Sequence, residues 1–336
     1  MKRMQPIVGV TMGDAAGISP EVVVRALADS PPTRDYQPVI IGDLTVLERA
    51  RDLTGANLTL APVESIEAVP ALSGAVPVLQ NEATTVGDFK PGHVQASCGR
   101  AFMAAIRWSA QLALEGKIDA IASAPTNKES MQAAGDLYSG QTDCYAEMAG
   151  VQDYFTILTG GTLRLYLLSS HVSLARAIEL VTRERILDVA RIADQSLREL
   201  WGIESPRIAV AGLNPHAGDG GLFGREEIDE VIPAIEALQQ EGYRIEGPFP
   251  SDSLLYSAEK GHYDGVIVMY HDQGVIPLKR YGYVTVIAGT PFIRTTAGHG
   301  TAYDIAWQGK ASGDVMRRAI EVAAQLASLR MVQPAA

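Results

Sequence analysis

The chain has 336 residues, of which 47% are hydrophobic and 20% are charged, and its formal net charge is -11 at pH 7. These are ordinary values for a folded protein, so extensive disorder is excluded, and a prior of roughly 150 residues per domain favours two domains. The acidic balance argues against nucleic acid or an anionic membrane as a partner, because both require an excess of basic surface, whereas a small anionic substrate needs only a local pocket.

Cysteine usage and hydropathy bear on location. Only Cys98 and Cys144 are present, without CxxC spacing, which is typical of a reducing compartment. The N-terminal apolar run breaks at Gly13 and Asp14, too soon for a signal peptide, and no stretch supplies the roughly 18 apolar residues of a membrane span. These features favour a cytoplasmic protein without a membrane partner.

The first part of the chain alternates predicted strands with predicted helices. IVGVTM is typical of a buried strand, GDAAGIS of a tight turn, and PEVVVRAL of a helix with Pro20 in its first turn, where proline costs little. PVIIGD predicts a second strand and LTVLERARDL a second helix. A longer helix begins at Ser97 and ends at Gly116, and IDAIASA follows as a strand.

The second part continues the alternation after a polar stretch. TNKESMQAAGDLYSGQTD, which follows Pro125, is interpreted as the crossing into a second domain. TILTG, LRLYLLSS, RIAVAGL, GVIVMY and VTVIAG predict strands. Residues 182–201, the segment REEIDEVIPAIEALQQ with a bend at Pro233, and residues 313–331 predict helices. The pattern predicts an α/β protein whose parallel or mixed sheet is covered on both faces.

Three of the six histidines follow predicted strands. His171 comes after LRLYLLSS, His216 after IAVAGLNP and His271 after GVIVMY. Side chains at the carboxyl ends of different strands can converge on one point of an open α/β sheet. Neutral imidazole suits zinc, manganese, cobalt or nickel, and three protein ligands leave positions free for a substrate. The pattern predicts a catalytic metal site, and the alternative is three ordinary loop histidines.

Three glycine-containing segments add further candidates. GLNPHAGDGGLFGREE misses the GxGxxG dinucleotide pattern because Phe223 takes the third glycine position, so its glycines are interpreted as allowing close approach to a ligand or a second subunit. MYHDQGVIPLK predicts a strand-exit loop in which His271, Asp272 and Lys279 lie close together, with Lys279 as an anion clamp or proton donor rather than a solvated surface lysine. PFIRTTAGHGTAYDIA places Arg294 after another strand, where its guanidinium suits a carboxylate or phosphate, an internal ion pair being the alternative.

The motifs GDAAGISPE, SGQTD, NPHAGDGGLFGREE, MYHDQG and PFIRTTAGHGTAYDIA occur in this order over almost the whole chain. Together they resemble the 4-hydroxythreonine-4-phosphate dehydrogenase family of pyridoxal phosphate synthesis. GDAAGISPE and HGTAYDIA also loosely resemble segments of isocitrate and isopropylmalate dehydrogenases. The resemblance implies two α/β domains with a central cleft, in a homodimer whose active site both subunits share. We expect a cofactor-side domain of residues 1–130 and 285–336 and a metal, substrate and dimerisation domain of residues 131–284.

The resemblance also implies roles for individual residues. His171, His216 and His271 match the family's ligands of a divalent metal, which would be Zn, Mg, Mn, Co or Ni and would be held by both subunits. Thr142, Lys279 and Arg294 match substrate-binding positions, and Asp252 matches an acid near the metal. The segment HGTAYDIA resembles the loop that holds the adenosine half of NAD or NADP, which implies cofactor contacts at His299, Gly300, Thr301 and Asp304.

Two positions depart from the family pattern. Gln141 stands where the family has a histidine, and Thr285 where it has a substrate-contacting asparagine. Glutamine can form hydrogen bonds but cannot carry positive charge, so recognition of a phosphate is weakened at that position. Relatives act on phosphorylated sugar acids and on aromatic dihydrodiol carboxylates, and these are alternative substrates.

The resulting hypothesis is a metal- and NAD(P)-dependent oxidation of a small anionic β-hydroxy acid, followed by loss of carbon dioxide. Metal coordination would lower the pKa of the substrate hydroxyl. Asp252 is the candidate proton acceptor and anchor of His271, Lys279 is a second candidate catalytic group, and Gln141, Thr142, Thr285 and Arg294 complete the substrate set. A three-histidine metal hydrolase and a non-catalytic metabolite-binding protein are the alternatives from other classes.

Overall fold

The computed structural model describes residues 5–29, 35–71 and 74–332. Its strands, in chain order, are β1 (Ile7–Thr11), β2 (Gln37–Ile41), β3 (Leu60–Val63), β4 (Val76–Leu79), β5 (Ala120–Ser123), β6 (Phe155–Gly160), β7 (Leu163–Leu167), β8 (Ile208–Ala211), β9 (Ile245–Phe249), β10 (Gly265–Val268), β11 (Val284–Ala288) and β12 (Ile293–Ala297). Its helices are α1 (Ser19–Ala28), α2 (Leu44–Thr54), α3 (Ala96–Leu114), α4 (Lys128–Ala133), α5 (Gln141–Met148), α6 (Leu174–Glu179), α7 (Arg183–Trp201), α8 (Ile232–Gln240), α9 (Ser251–Glu259), α10 (His271–Lys279) and α11 (Asp314–Val332).

The chain divides into two compact units. Unit 1 comprises Met1–Tyr154 and Gly289–Ala336, and unit 2 comprises Phe155–Ala288. Unit 1 contains a parallel sheet of order β3-β4-β2-β1-β5-β12. In unit 2 the order is β11-β6-β7-β10-β8-β9, where β6 pairs antiparallel with both β11 and β7 and the other pairs are parallel. The predicted α/β class with a parallel or mixed sheet is confirmed.

Apolar periodicity explains the core of unit 1. Helix α3 buries Phe102, Met103 and Ile106 at helical spacing, and they pack with residues of β1, β2 and β5. Tyr145 of α5 belongs to the same core. Pro20 lies in the first turn of α1, and Gly116, with φ of 66°, follows the end of α3, as the sequence predicted.

The boundaries between the units differ from the predicted ones at 130/131 and 284/285. The polar stretch after Pro125 stays in unit 1, because α4 and α5 pack against α3; a Cβ at Gly99 of α3 would lie only 2.0 Å from the Ser130 carbonyl oxygen. Strand β11 belongs to unit 2, because it pairs with β6 from Val284 opposite Thr159 to Ala288 opposite Phe155. The polar composition of the segment after Pro125 therefore reflects its position on the surface of unit 1 and not a domain boundary.

Within the described ranges, no helix has the length and apolar character needed to cross a lipid bilayer. Both cysteines are buried and unbridged, and burial raises the pKa of each thiol to about 11. They are therefore structural side chains rather than reactive nucleophiles.

Candidate metal centre and anion-binding cluster

The three histidines predicted as metal ligands all follow strands of the parallel part of unit 2. Strand β10 lies between β7 and β8, and all three run in the same direction. Their carboxyl ends therefore share one edge of the sheet. The structure brings His171 and His271 together there, with ring centroids 5.6 Å apart.

His271 is the first residue of α10, and its ring is oriented by the neighbouring carboxylate. Its Nδ1 lies 2.8 Å from Oδ1 of Asp272. A hydrogen bond at Nδ1 leaves Nε2 with its lone pair available, which is the usual arrangement of a metal-bound histidine and its carboxylate partner. The two imidazoles border a surface cavity of about 290 Å³ that is lined further by Ser170, Val172, Leu174, Ala177 and Tyr270.

His216 does not join this pair within one chain. Among the residues that the structure describes, no group of three His, Cys, Asp or Glu side chains is arranged to hold a metal ion. His216 is exposed and its ring lies against Phe223, with the centroids 6.5 Å apart. A single chain therefore supplies two adjacent imidazoles and one separate imidazole on the surface.

The backbone around His216 is strained. Residues 216–220, here named the left-handed turn, all have positive φ, with values of 54° for His216, 54° for Ala217 and 45° for Asp219. The left-handed conformation costs roughly 1–2 kcal/mol for each residue with a side chain, so these three positions store roughly 3–6 kcal/mol. Strain of this size persists only where surrounding contacts compensate for it.

The segment MYHDQGVIPLK is a helix rather than the predicted loop. His271 and Lys279 are the two end residues of α10, which separates them by roughly 12 Å along the axis at 1.5 Å per residue. The Lys279 ammonium is exposed and lies 5.5 Å from the ring centroid of Tyr283. The expected short reach between His271 and Lys279 is therefore wrong.

The remaining predicted residues of unit 2 lie on two other elements. Asp252 is an exposed residue in the first turn of α9, and its Oδ1 accepts a hydrogen bond from the Ser253 backbone amide at 2.8 Å. In this chain the anchor of His271 is Asp272, so the expected anchoring by Asp252 is wrong. Thr285 lies on β11 opposite Leu158 of β6 and is half-buried.

Arg294 of unit 1 follows β11, as predicted, and is a buried cation within a further strand, β12. The side chain has 0% exposure. Its Nη1 donates to Oγ1 of Thr142 at 2.9 Å, and its guanidinium carbon lies 4.6 Å from the Tyr145 ring centroid. Nη2 has no hydrogen-bond partner, and no acidic side chain in the described part of the chain pairs with this cation. The predicted substrate residues Arg294 and Thr142 are thus in contact, with donor capacity left over.

The surroundings of this cluster are polar. Gln141 begins α5, and its Oε1 is buried without a hydrogen-bond partner. Tyr154 donates to Oδ1 of Asp143 at 2.6 Å, which is the main reason why the pKa of Tyr154 is raised to about 12. Burial acts to raise the pKa of Asp143, but hydrogen bonds from Ser139 and Tyr154 lower it overall. Asp143 is therefore an anion held in place by Ser139, just before α5, and by Tyr154, just after it.

The predicted cofactor loop of unit 1 combines an anchored backbone with exposed polar groups. Thr301 is buried, and its carbonyl oxygen accepts from the Ile18 amide at 3.0 Å. Gly300 and Asp304 are exposed, His299 is half-buried, and a Cβ at Gly300 would meet nothing within 4 Å. A fixed loop with open space beside its glycine fits a bulky polar ligand such as a nucleotide.

A buried acid fastens this loop to the turn after β1. Asp14 has no exposed surface, accepts from the Tyr303 hydroxyl at 2.7 Å and from the Ala16 amide at 2.9 Å, and burial raises its pKa. The Tyr303 hydroxyl also lies 2.9 Å from Ser130 Oγ. Sequence patterns gave the two glycine-rich segments but not this contact between them, which joins residues far apart in the chain.

Three structurally important side chains were not singled out from the sequence. Tyr145 reads as an ordinary helix residue, although it stacks on Arg294. Glu227 reads as one acid of an exposed helix start, although it is 1% exposed beside the His216 segment. Gln273 belongs to the YHDQG motif and could have been singled out there; it accepts from the Met269 amide at 2.6 Å and donates to the Gly212 carbonyl at 2.8 Å.

Comparison with known proteins gives a consistent set of relatives. Residues 34–323 match the family described as Pyridoxal phosphate biosynthetic protein PdxA. A protein of Symbiobacterium thermophilum, named as a candidate D-threonate 4-phosphate dehydrogenase, is 42% identical over 96% of this chain and 97% of its own. The crystal structure of 4-hydroxythreonine-4-phosphate dehydrogenase from Klebsiella pneumoniae is 39% identical, with a TM-score of 0.85 over 97% of this chain and 99% of that chain. A terephthalate 1,2-cis-dihydrodiol dehydrogenase from Burkholderia xenovorans is 30% identical, with a TM-score of 0.62 over 95% of this chain and 98% of that one.

Proposed function

Because the chain belongs to the PdxA family of pyridoxal phosphate biosynthetic proteins, we propose that it oxidises a phosphorylated β-hydroxy acid with NAD or NADP and a divalent metal ion, and that loss of carbon dioxide follows. Its relatives are named dehydrogenases, and the chain is an oxidoreductase that acts on a CH–OH group. The hydrolase and binding-protein alternatives lose their support, since neither matches these relatives.

The single observation that carries the metal proposal is the proximity of His171 and His271 at the ends of neighbouring parallel strands. Their donor set fits a divalent ion of the zinc, cobalt, nickel or manganese type, since both are imidazoles and one already has a carboxylate at its second nitrogen. A metal held there would lower the pKa of the substrate hydroxyl, and the nicotinamide would accept the hydride.

The third ligand is proposed to be His216 of the partner subunit. Exposed apolar side chains follow each of the three histidines: Leu174 is 60% exposed, Leu222 is 73% exposed and Ile276 is 70% exposed. Large exposed apolar groups grouped in this way are typical of a protein interface. We propose that a homodimer buries these side chains and that the separate imidazole of one chain meets the adjacent pair of the other; an isologous interface would form this site twice.

The chain's own residues have distinct proposed roles in the reaction. In unit 2, Asp272 holds the His271 ring in one tautomer. Asp252 is proposed as the proton acceptor, Lys279 as an anion clamp and Thr285 as a substrate contact. In unit 1, Arg294 and Thr142 bind an anionic end of the substrate through the unused donors of the guanidinium. His299, Gly300, Thr301 and Asp304 bind the adenosine half of the cofactor, on a loop whose backbone is already fixed.

Mixing two inactive variants tests the metal site and the dimer together. His216→Ala and His271→Ala should each abolish metal binding and NAD(P)H formation. If one subunit supplies His171 and His271 and the other supplies His216, a hybrid dimer of the two variants retains one intact site. Random reassortment should therefore restore about a quarter of wild-type activity. His262→Ala, which removes an exposed histidine of the same unit, is the matched control. Full activity of His216→Ala would refute the metal proposal, and no recovery on mixing would refute the shared site.

The substrate is tested with acids that differ by one group. Two relatives are named for 4-hydroxythreonine 4-phosphate, which has an amino group on the carbon next to the carboxylate, and for D-threonate 4-phosphate, which has a hydroxyl there. These two acids should be compared with their unphosphorylated forms. A terephthalate dihydrodiol, the substrate named for a third relative, completes the set. We expect a higher kcat/KM for the phosphorylated acids with either NAD or NADP. A preference for the unphosphorylated acids would overturn the proposed substrate class.

A further inference from the structure

A buried carboxylate lies directly under the turn that carries His216. Glu227 Oε1 accepts from the backbone amides of Leu213 and Asn214, each at 2.8 Å, and its Oε2 accepts from Asn214 Nδ2 at 2.9 Å. No Lys, Arg or His side chain in the described ranges forms an ion pair with Glu227. The three N–H groups are therefore what makes burial of this anion tolerable, since an unpaired buried charge is costly.

The turn closes tightly around this carboxylate. A Cβ on Gly218 would lie 2.7 Å from Glu227 Oε2, and a Cβ on Gly212 would lie 2.8 Å from the Cα of Ala217. Glu227 begins a π-helical stretch, Glu227–Val231, that leads into α8. A π-helical turn inserts an extra residue and changes the direction of a side chain, and such turns are frequent at functional sites.

The backbone before the left-handed turn is also bonded to α10, the helix that begins with His271. Gln273, two residues after His271 in α10, donates to the Gly212 carbonyl at 2.8 Å and accepts from the Met269 amide at 2.6 Å. Gly212 directly precedes the two amides that Glu227 binds. The backbone before His216 is thus held at the Gly212 carbonyl by Gln273 and at the next two amides by Glu227.

We infer that Glu227 is a positioning residue that holds the left-handed turn in its strained form and so fixes His216 for metal binding before any metal arrives. This inference rests on the proposed metal function. A carboxylate that merely capped the strand-to-helix connection would need no left-handed residues above it, whereas here His216 itself has a φ of 54°. Without the three hydrogen bonds, the turn should relax to an ordinary loop and His216 should become mobile.

Cobalt binding tests the inference without turnover. Glu227→Gln keeps an oxygen for the two backbone amides but turns an N–H group toward the Asn214 amide donor and removes the charge. Titration of the full-length protein with Co²⁺ should show an affinity about 10- to 100-fold lower than that of the wild type, the usual loss when a partner of a metal ligand is removed. The visible d–d spectrum of the bound cobalt should change, since His216 no longer has a fixed position. Glu226→Gln is the matched control, because among the described residues the Glu226 side chain bonds only to the Asn214 side chain and not to the backbone of the turn.

A second substitution distinguishes positioning from loss of folding. Ala217→Gly lowers the cost of the left-handed turn, so in the Glu227→Gln background it should restore Co²⁺ affinity by about tenfold. In the metal-free protein, hydrogen exchange at residues 213–221 should accelerate in Glu227→Gln and not in Glu226→Gln, while thermal unfolding remains cooperative.

Three results would overturn the inference. These are wild-type Co²⁺ affinity, spectrum and hydrogen exchange in Glu227→Gln, equal losses in the Glu226→Gln control, or failure of Ala217→Gly to restore Co²⁺ affinity. His216→Ala, carried in parallel, separates this outcome from failure of the proposed metal site: if it binds Co²⁺ normally, His216 is no ligand.

Discussion

Replacement of Arg294 by methionine should remove anion binding from unit 1 without unfolding it. The guanidinium is buried, has one strong hydrogen bond to Thr142 and one weaker one to Ser123, and rests on Tyr145. Burial lowers the pKa of Arg294, which reflects the unfavourable transfer of its charge from water. That transfer costs several kcal/mol, whereas a hydrogen bond from a charged donor returns about 1.5–3 kcal/mol and a cation–π contact about 2 kcal/mol. Since these terms nearly cancel, Arg294→Met should change the free energy of unfolding by less than about 2 kcal/mol.

The gain from an anion is larger and can be measured separately. At a concentration of 100 times Kd, a ligand that binds only the folded state adds about 2.7 kcal/mol, which is roughly 5–10 °C for a domain of 150–250 residues. Differential scanning calorimetry in inorganic phosphate, with ionic strength held constant by chloride, should show this shift for the wild type and not for Arg294→Met. Arg51→Met, which removes the same charge from an exposed ion pair with Asp52, controls for general salt effects. An equal shift in all three proteins would refute the assignment of Arg294 as an anion-binding residue.

Three other changes test the remaining parts of the two units. Gly17→Ala would place a Cβ 2.8 Å from the Cβ of Thr301, so it should displace the cofactor loop. Steady-state kinetics should then show KM for NAD(P) raised at least tenfold, with a smaller change in kcat. An unchanged cofactor KM would contradict the loop assignment. Gln141→His introduces the residue expected from the family pattern, and histidine can carry positive charge. KM for phosphorylated acids should therefore fall by about tenfold below pH 6.5, and an equal change for unphosphorylated acids would argue against a phosphate contact. Burial raises the pKa of Asp14, and such a carboxyl contributes stability below its unfolded pKa of about 3.9 that is lost as pH rises through the folded pKa. Urea unfolding should therefore show the wild type losing stability relative to Asp14→Asn from about pH 4 upward, whereas a constant difference would refute the shift.

Local sequence patterns accounted for the elements that repeat a simple period. The apolar spacing of α3, the proline in the first turn of α1 and the glycine after α3 were all present as predicted, because they depend on residues within a few positions of one another. The segment from His271 to Lys279 was misjudged for the same reason. It contains glycine and proline, which favour a loop locally, yet it is a helix because Val275 and Leu278 pack into the core of unit 2.

The sequence by itself determined the α/β class, most of the strands and helices, and the position of three histidines just after strands. Each of these is a property of neighbouring residues or of a motif. It could not decide which histidines meet. That depends on strand order: β10 lies beside β7, which sets His271 against His171, while the path of the chain after β8 carries His216 away on a left-handed turn. The unsatisfied donor of Arg294 and the buried charge of Glu227 were equally invisible, because burial is created by segments far apart in the chain that the fold brings together.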